Sequence, residues 1–338
     1  MARRGRRRWP PLARGTELGL SDPFRAWVLE NAADGVAPGE LVSALVEGGV
    51  PRPIAAREVA GLVISPHLAA LRRERRGRIR AEQVLALLKE LEPSEIERRP
   101  TPRADEFYSR YFHENRPVIF TDFTAGWPAR DWTPELLALR MGDAEVGVVQ
   151  GRDAHPEDYD ERTRQLEVTM KLRDYVALIR ERSPTNDLYS VANNRNMERE
   201  AFKSLLEDIR IDEAWIDRRL LAGGTSFWLG PEGTVTPLHH DTTNILFCQL
   251  HGRKRFVLAS PFESALLGAA RGFYARISPD SPDFAARRHD VVLAPGETLF
   301  LPVGWWHEVR SLDVSISFSL LALRKKNRFE GYGPGHVG

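Results

Sequence analysis

The hydrophobic pattern of this chain changes character near residue 100. Between residues 21 and 92, apolar side chains recur three and four positions apart, as Phe24, Trp27 and Val28 do. This spacing places them on one face of an α-helix. Short breaks with glycine or proline separate such segments, so the pattern predicts a small module of several amphipathic helices.

The last two helices predicted in this module are SPHLAALRRERRG and IRAEQVLALLKELEP, which meet at Gly77. The arginine-rich run between them is expected to be a solvated helix face, and a phosphate-binding patch is the alternative. The helix spacing loosely resembles a helix-turn-helix. Because any compact helical bundle has a similar pattern, a structural or substrate-docking role is favoured over DNA binding.

A charged, proline-rich stretch, residues 93–103, predicts a linker. The main domain is predicted over residues 104–324, where the pattern becomes that of short apolar strands separated by glycine and proline after Gly223. The eight predicted strands are TSFWLG, TVTPLHH, NILFCQL, KRFVLAS, HDVVLAPG, TLFLPV, HEVRSL and VSISFSLLAL. Such a series predicts an antiparallel sandwich or barrel. Residues 1–20 and 325–338 are predicted to be a disordered basic arm and a flexible tail.

The composition excludes several classes of protein. With 42% hydrophobic and 28% charged residues, the chain is an ordinary globular sequence, and its net charge of +1 argues against broad binding of nucleic acid. Six arginines precede position 15, but Pro10, Pro11 and Arg14 interrupt the apolar stretch of a signal peptide. The lone Cys248 excludes an internal disulfide. A cytoplasmic protein without a membrane segment is therefore expected, and the basic arm is a candidate docking site for RNA or an acidic peptide.

Candidate chemistry is concentrated in a few polar residues of the strand-rich region. His239 and Asp241 lie two residues apart in a predicted strand, so both side chains face the same way and His240 faces the opposite way. His307 follows a later apolar strand and a tight turn. Two histidines and one carboxylate with open positions form the donor set of non-haem Fe(II) oxygenases. The pattern predicts a metal site, and Lys254 between these segments is a cation suited to an acidic co-substrate.

The segments GTVTPLHHDTTNILFCQLHGRKRFVLASP and FLPVGWWHEVRSL together resemble the JmjC, cupin-like family of Fe(II)- and 2-oxoglutarate-dependent oxygenases. RPVIFTDFTAGWPARDW is similar to the entry segment of that family, so the resemblance covers roughly residues 100 to 324. Within the family, the chain is most similar to the hydroxylase branch that includes the asparaginyl hydroxylase of hypoxia-inducible factor. The resemblance implies a mainly β fold with flanking helices (α+β): a double-stranded β-helix, or jelly roll, beside the N-terminal helical module.

The resemblance also implies roles for individual residues. It makes His239, Asp241 and His307 the ligands of Fe(II). It makes Lys254 the partner of the distal carboxylate of 2-oxoglutarate. A buried dicarboxylate needs such a charge partner, because an unpaired charge away from water is costly.

Four further residues match cofactor-binding positions of the family. Thr236 and Tyr189 match hydroxyl groups that hydrogen-bond the distal carboxylate. Asn244 matches an asparagine on the cofactor side, although it lies one residue closer to Asp241 than in that branch. Ser319 matches a position where that branch has asparagine, and a serine there still donates one hydrogen bond.

The implied reaction consumes 2-oxoglutarate and O₂ at Fe(II), releases succinate and CO₂, and hydroxylates a C–H bond. The leading expectation is hydroxylation of a protein or peptide side chain, with the helical module as an additional surface for a polypeptide. Three alternatives stay open: hydroxylation of a small molecule or a modified tRNA base, N-methyl demethylation through loss of formaldehyde, and non-catalytic binding in a cupin pocket. A homodimer, if formed, is expected to use the N-terminal helices or the flank of the barrel.

Overall fold

The structure is a computed structural model that describes residues 19–263 and 273–329. By internal packing the chain divides into two compact units, which meet between Glu92 and Pro93. Within the described residues, no single helix is both long and apolar enough to cross a membrane. One pair of helices in the first unit, bent by 56° at its junction, meets that criterion only jointly, by length and composition alone.

The first unit is a bundle of amphipathic helices. These are α1 (Asp22–Ala33), α2 (Pro38–Glu47), α3 (Arg52–Val63) and α4 (Pro66–Leu91). Their apolar faces meet in one core, in which Val28 and Leu45 are fully buried. The helix predicted to end at Gly77 continues through it in α4, because strong helix formers flank this glycine and one exposed glycine costs only about 1 kcal/mol.

The ends of the chain depart partly from the predicted arm and tail. Leu20, placed in the arm, is buried in the core of the first unit. Asn327, placed in the tail, is buried in the second unit. The rest of the arm up to residue 18 and the tail from residue 330 lie outside the described residues.

The second unit is mainly β. Its described helices are α5 (Ala104–Phe107), α6 (Pro134–Met141), α7 (Leu172–Arg182) and α8 (Glu200–Lys203). Its described strands are β1 (Glu97–Arg99), β2 (Val118–Phe120), β3 (Glu145–Gln150), β4 (Glu167–Lys171), β5 (Leu188–Tyr189), β6 (Thr225–Gly230), β7 (Val235–His239), β8 (Ile245–His251), β9 (Lys254–Ala259), β10 (His289–Leu293), β11 (Thr298–Leu301), β12 (Trp306–Ser311) and β13 (Ser315–Leu320).

Strands β6 to β13 form the predicted double-stranded β-helix. The larger sheet has the order β1-β2-β11-β8-β13-β6, and the smaller sheet has the order β10-β9-β12-β7. Phe247 and Leu299 of the larger sheet pack with Phe256 and Val309 of the smaller one, so the barrel core lies between the two sheets. A third sheet, β4-β3-β5, stands beside them. All eight strands predicted after Gly223 are present, and the jelly-roll prediction is confirmed.

Two short strands were not predicted. Residues 97–99 lie in the predicted linker but pair in parallel with β2, at the edge of the larger sheet. Arg98 adds a hydrogen bond to the carbonyl of Val292 and an ion pair with Glu297. The triplet Glu-Arg-Arg has no apolar residue that would have revealed a strand. β4 is also polar along most of its length and is ordered by pairing with β3.

Candidate active site

Two neighbouring strands of the smaller sheet bring the predicted histidines together. β7 and β12 are antiparallel, and their register sets His239 directly opposite His307. Asp241 lies just beyond the end of β7, where its carbonyl accepts a hydrogen bond from the backbone N–H of Gly304 at 3.0 Å. Gly304 has φ of +81°, a conformation that favours glycine. The turn before β12 therefore holds the Asp241 segment beside His307.

The three side chains converge on one point. The candidate ligand atoms of His239, Asp241 and His307 all lie within 4.8 Å of one another. Nε2 of His307 is 3.6 Å from Oδ2 of Asp241, and the two imidazole centroids are 4.0 Å apart. Two imidazoles and a carboxylate at this separation form a mixed nitrogen and oxygen site, which suits Fe(II).

Backbone carbonyls orient both imidazoles for ligation. Nδ1 of His239 lies 2.8 Å from the carbonyl of Pro237, and Nδ1 of His307 lies 3.0 Å from that of Trp305. A carbonyl only accepts, so each neutral ring carries its proton on Nδ1 and keeps the Nε2 lone pair free. Burial, with the adjacent His239 ring, lowers the pKa of His307 well below its ordinary value. His307 is therefore neutral near pH 7, as a metal ligand requires.

The neighbouring histidine takes no part in this cluster. His240 is 1% exposed and packs edge-on against Trp306, with the ring centroids 4.5 Å apart. Its opposite orientation follows from the alternation of side chains along an extended segment. The pair of adjacent histidines thus divides between the site and the core.

The three residues open into one cavity of about 410 Å³, within the range of roughly 300 to 1,000 Å³ usual for small-ligand sites. Its apolar wall includes Trp228, Phe247 and Phe256. Trp305 and Trp306 are buried in the hydrophobic core instead. The wall keeps water away from much of the surface beside the metal ligands.

Lys254 supplies a buried positive charge just behind this wall. It is fully buried at the start of β9, and its Nζ donates a hydrogen bond to Oη of Tyr189 at 2.6 Å. Nζ also lies between 5.2 and 5.8 Å from the ring centroids of Tyr189, Trp228 and Phe247. No carboxylate in the described part of the chain pairs with it, and burial lowers its pKa to about 7. An anion arriving at Tyr189 would provide the missing partner.

Three predicted hydroxyl groups line the same cavity, those of Tyr189, Thr236 and Ser319. Burial raises the pKa of Tyr189, so its phenol stays protonated. Oγ of Ser319 accepts a hydrogen bond from Nε1 of Trp228 at 2.9 Å, which leaves the serine proton to be donated elsewhere. These groups and Lys254 are brought together as the resemblance implied.

Asn244 is placed differently from the prediction. It does not line the cavity; its Nδ2 donates to Oδ1 of Asn327 at 2.9 Å, and its Oδ1 accepts from the backbone N–H of Val303 at 2.9 Å. Asn327 in turn donates to the carbonyl of Asn244 at 2.8 Å. The Asn244 amide therefore links the segment around Asn327, which follows β13, to the turn that precedes β12. Its role here is structural, because its hydrogen bonds are committed inside the protein.

One cationic residue of the cavity was missed by sequence reasoning. Arg152 lies in a turn after β3, is 4% exposed, and stacks on Tyr159 with Cζ 4.2 Å from the ring centroid. Its Nη2 donates to the carbonyl of Val235 at 2.5 Å, and Tyr159 Oη donates to the same carbonyl at 3.3 Å. Burial lowers the pKa of Arg152, but an arginine stays charged.

Two other loop residues complete this side of the cavity. Asp160 belongs to both the cavity and an adjoining groove, and Tyr274 stands 5.4 Å from His239, ring centroid to ring centroid. The only feature of the sequence that marked this region was Tyr159, an aromatic residue within a polar stretch. We call Arg152, Tyr159, Asp160 and Tyr274 the loop-borne wall of the cavity. Thr236, His239, His307 and Ser319, with Lys254 behind them, form the strand-borne wall.

Comparison with known proteins places this architecture among characterised sequences. The chain is 30% identical over 235 residues to Jumonji C domain-containing protein 5 of Drosophila melanogaster, covering 64% of this chain and 57% of that protein. It is 28% identical over 240 residues to lysine-specific demethylase 8 of Xenopus tropicalis (64% and 50%) and 29% identical over 243 residues to lysine-specific demethylase JMJ30 of Arabidopsis thaliana (66% and 54%). The matched region spans about half the length of these curated relatives.

A family model described as the cupin-like domain matches residues 104–320, more than half of the chain. The similar proteins carry JmjC and lysine-demethylase names, and they do not specifically support the asparaginyl hydroxylase branch. The matched range contains all three candidate metal ligands and both sheets of the barrel apart from β1. The chain therefore belongs to the cupin-like JmjC family of Fe(II)- and 2-oxoglutarate-dependent oxygenases.

Proposed function

We propose that this chain is an Fe(II)- and 2-oxoglutarate-dependent dioxygenase that hydroxylates a side chain of a protein or peptide. The observation that carries the proposal is the pairing, at one cavity, of the oriented His-Asp-His cluster with a buried lysine that has no carboxylate partner among the described residues. A metal site alone fits many functions. A metal site next to a buried cation fits a co-substrate with one chelating end and one anionic end.

One set of side chains at the site would bind the metal, and a second set would bind the co-substrate. His239, Asp241 and His307 are the candidate ligands, and they leave part of the coordination sphere open. Lys254 and Tyr189 would hold the distal carboxylate of 2-oxoglutarate through charge-assisted hydrogen bonds. When bound, the metal and 2-oxoglutarate supply the oxidising chemistry: 2-oxoglutarate, O₂ and a C–H group give succinate, CO₂ and an alcohol.

The adjoining groove supports a polymeric substrate. It has a volume of about 1150 Å³ and shares Asp160, Thr163, Ala192 and Asn193 with the cavity. Asn194 in this groove is 4% exposed; its Oδ1 accepts from the backbone N–H of Val191, while its Nδ2 has no partner. A peptide carbonyl that reached this buried amide would satisfy a donor that has no partner in the structure.

Lysine demethylation is the second candidate, and the names of the similar proteins favour it. Both reactions begin with hydroxylation of a carbon. The loop-borne wall argues against a cationic substrate, because the buried guanidinium of Arg152 would repel a methylated ammonium group. Asp160 is the group that would have to offset this repulsion. We therefore favour a neutral or acidic side chain as the target.

A peptide library incubated with the protein, Fe(II), 2-oxoglutarate and O₂ tests the proposal. Peptides that gain the mass of one oxygen atom, with succinate formed in equal amount, are the expected result. Peptides that only lose the mass of a methylene group, with formaldehyde released, would establish the demethylase instead. The variant Lys254→Met serves as the control, because it removes the co-substrate partner and leaves the three metal ligands intact.

A further inference from the structure

The cavity contains a second buried cation that the proposed chemistry does not use. Nη1 of Arg152 has no hydrogen-bond partner, and Asp160, the carboxylate that acts on this guanidinium electrostatically, does not form a close ion pair with it within the described part of the chain. Leaving a buried charged donor unsatisfied is costly. Such a group in the wall of a cavity indicates that a ligand completes it.

The guanidinium is held in a fixed orientation. Tyr159 stacks on one face of it, with Cζ 4.2 Å from the ring centroid, and the carbonyl of Val235 fixes Nη2. Its position relative to the lysine is defined by Tyr189, whose ring centroid is 5.5 Å from Cζ of Arg152 and 5.2 Å from Nζ of Lys254. Arg152 thus lines the cavity, whereas Lys254 lies behind its wall and reaches it through the phenol oxygen of Tyr189.

Counting the charges at the loaded site shows which of the two cations, Lys254 or Arg152, the co-substrate requires. The two carboxylates of 2-oxoglutarate and the carboxylate of Asp241 balance the two charges of Fe(II) and the single charge of Lys254. These groups are then neutral together without Arg152, which has Asp160 of the same wall as an electrostatic neighbour but forms no hydrogen bond with it. The co-substrate therefore does not need the guanidinium as its charge partner.

We infer that Arg152 recognises a carboxylate of the substrate, so that the residue entering the cavity is acidic: an aspartate or a glutamate. This inference rests on the proposed function and names its substrate class. A planar guanidinium whose Nη2 is already fixed matches a carboxylate geometrically, and Nη1, which is buried in this structure, is the donor still without a partner. Asp160 stands where the cavity meets the groove and would lie beside the backbone of such a peptide.

Binding of matched probes next to a paramagnetic metal tests this inference. The protein is loaded with Mn(II) and saturated with N-oxalylglycine, an unreactive analogue of 2-oxoglutarate. The probes are N-acetyl-aspartate amide and N-acetyl-glutamate amide, each compared with its asparagine or glutamine counterpart. Enhanced nuclear relaxation of the probe protons reports binding close to the metal and requires no turnover.

For the wild-type protein we expect relaxation of at least one acidic probe and about tenfold weaker binding of its amide counterpart, since a charged hydrogen-bonded pair is lost. Arg152→Met should abolish this preference. Arg152→Lys, which keeps the charge but not the planar fork, should retain part of it. Arg164→Met removes one positive charge from the adjoining groove and should leave the preference intact. Circular dichroism of each variant checks that the protein is folded.

Three results would overturn the inference. The first is equal relaxation of acidic and amide probes, the second is no relaxation of any probe in the wild-type protein, and the third is weaker binding of N-oxalylglycine rather than of the acidic probe in Arg152→Met. The last result would assign Arg152 to the co-substrate. If N-oxalylglycine fails to bind the wild-type metal complex at all, the proposed function fails. The probe comparison on the Mn(II) protein alone then still decides the role of Arg152.

Discussion

The strand-borne and loop-borne walls of the cavity are built from different kinds of backbone. On the strand-borne wall, neighbouring strands fix the distance between His239 and His307 through their register, and Lys254 is the first residue of an adjacent strand. On the loop-borne wall, Arg152 and Tyr274 come from turns far apart in the chain. The regular hydrogen bonding of a sheet sets the first geometry. The second combines side-chain stacking and a carbonyl contact at Arg152 with a single backbone bridge between Tyr274 and His239.

This difference separates the groups that hold metal and co-substrate from the groups that would select the substrate within one cavity. The strand-borne wall carries groups suited to a metal and a dicarboxylate, which are common to any reaction of this type. The loop-borne wall carries the groups that would meet the substrate. Changes to the first wall should therefore abolish binding of metal or co-substrate, and changes to the second should alter which substrate is accepted.

The largest effect is expected on metal binding, from substitution of His239 but not of the adjacent His240. His239→Ala removes a candidate ligand and should weaken metal binding by at least about 100-fold, because even changes to the groups that hydrogen-bond a metal ligand cost roughly 10- to 100-fold. His240→Phe is the matched control, since that ring packs against Trp306 rather than facing the metal site. Titration with Fe(II) or Mn(II) under anaerobic conditions measures both. Equal loss in the two variants would contradict the assignment of the cluster.

Lys254→Met should have the next largest effect: it should weaken binding of the co-substrate analogue but stabilise the free protein. Loss of the charged partner should weaken binding of N-oxalylglycine to the Mn(II) protein by about 100-fold, corresponding to roughly 2 to 3 kcal/mol. The free protein should become more stable, because a desolvated cation is replaced by an apolar side chain of similar length. Calorimetric titration and thermal unfolding measure the two quantities.

The surface lysine Lys171, paired with Asp143, provides the control for this experiment. Lys171→Met removes the same charge from an exposed pair, so neither affinity nor stability should change by more than about 1 kcal/mol. A destabilised Lys254→Met protein with unchanged affinity would show that the lysine serves the fold and not an anion.

The pH dependence should be smaller, and its sign is fixed by Lys254. Burial lowers its pKa to about 7 from 10.5. Between these values the unfolded chain binds more protons than the folded one, so Lys254 makes the folded protein gain stability as pH rises from about 7 towards 10.5. Binding of a carboxylate needs the ammonium form. Affinity for N-oxalylglycine should therefore fall above pH 7, by up to about tenfold per pH unit, with uptake of one proton.

Calorimetric titrations at pH 8 in two buffers of different ionisation enthalpy measure that proton uptake directly. The uptake should disappear in Lys254→Met. An uptake that persists in the variant would come from another group, and the proposed protonation of Lys254 on binding would then be wrong.

What could be predicted from the sequence follows the same division. The alternation of side chains predicted through residues 239–241 separates His239 from His240, and the eight strands after Gly223 are visible as apolar runs between turns. Arg152 could not be found in this way, because a stacked arginine in a turn has the same local pattern as an exposed one. Residues 97–99 were missed for a related reason: their strand exists through pairing with β2, which no local pattern shows.

Asn244 illustrates the limit of transferring roles by resemblance, and it gives the smallest expected effect on the site. Oδ1 of Asn327 accepts two hydrogen bonds from Asn244, one from its backbone N–H at 2.8 Å and one from its side-chain Nδ2 at 2.9 Å. Asn244→Ala and Asn327→Ala should each lower the free energy of unfolding by about 2 kcal/mol, because buried partners are left unpaired. Both should bind N-oxalylglycine within about threefold of the wild-type protein, since neither side chain borders the cavity.

The double variant distinguishes a structural pair from two independent residues. If the two amides act on each other, the loss of stability in the double variant should be less than the sum of the single losses, since either single change already breaks the bond between Nδ2 of Asn244 and Oδ1 of Asn327. Chemical denaturation of the four proteins measures this coupling. Additive losses of stability, together with a large loss of co-substrate affinity in Asn244→Ala alone, would return Asn244 to the cofactor side of the site. In that case the Asn244 amide would have to give up its hydrogen bond to Asn327 and bind the co-substrate instead. The segment around Asn327 would then have to move away from Asn244 when the co-substrate binds.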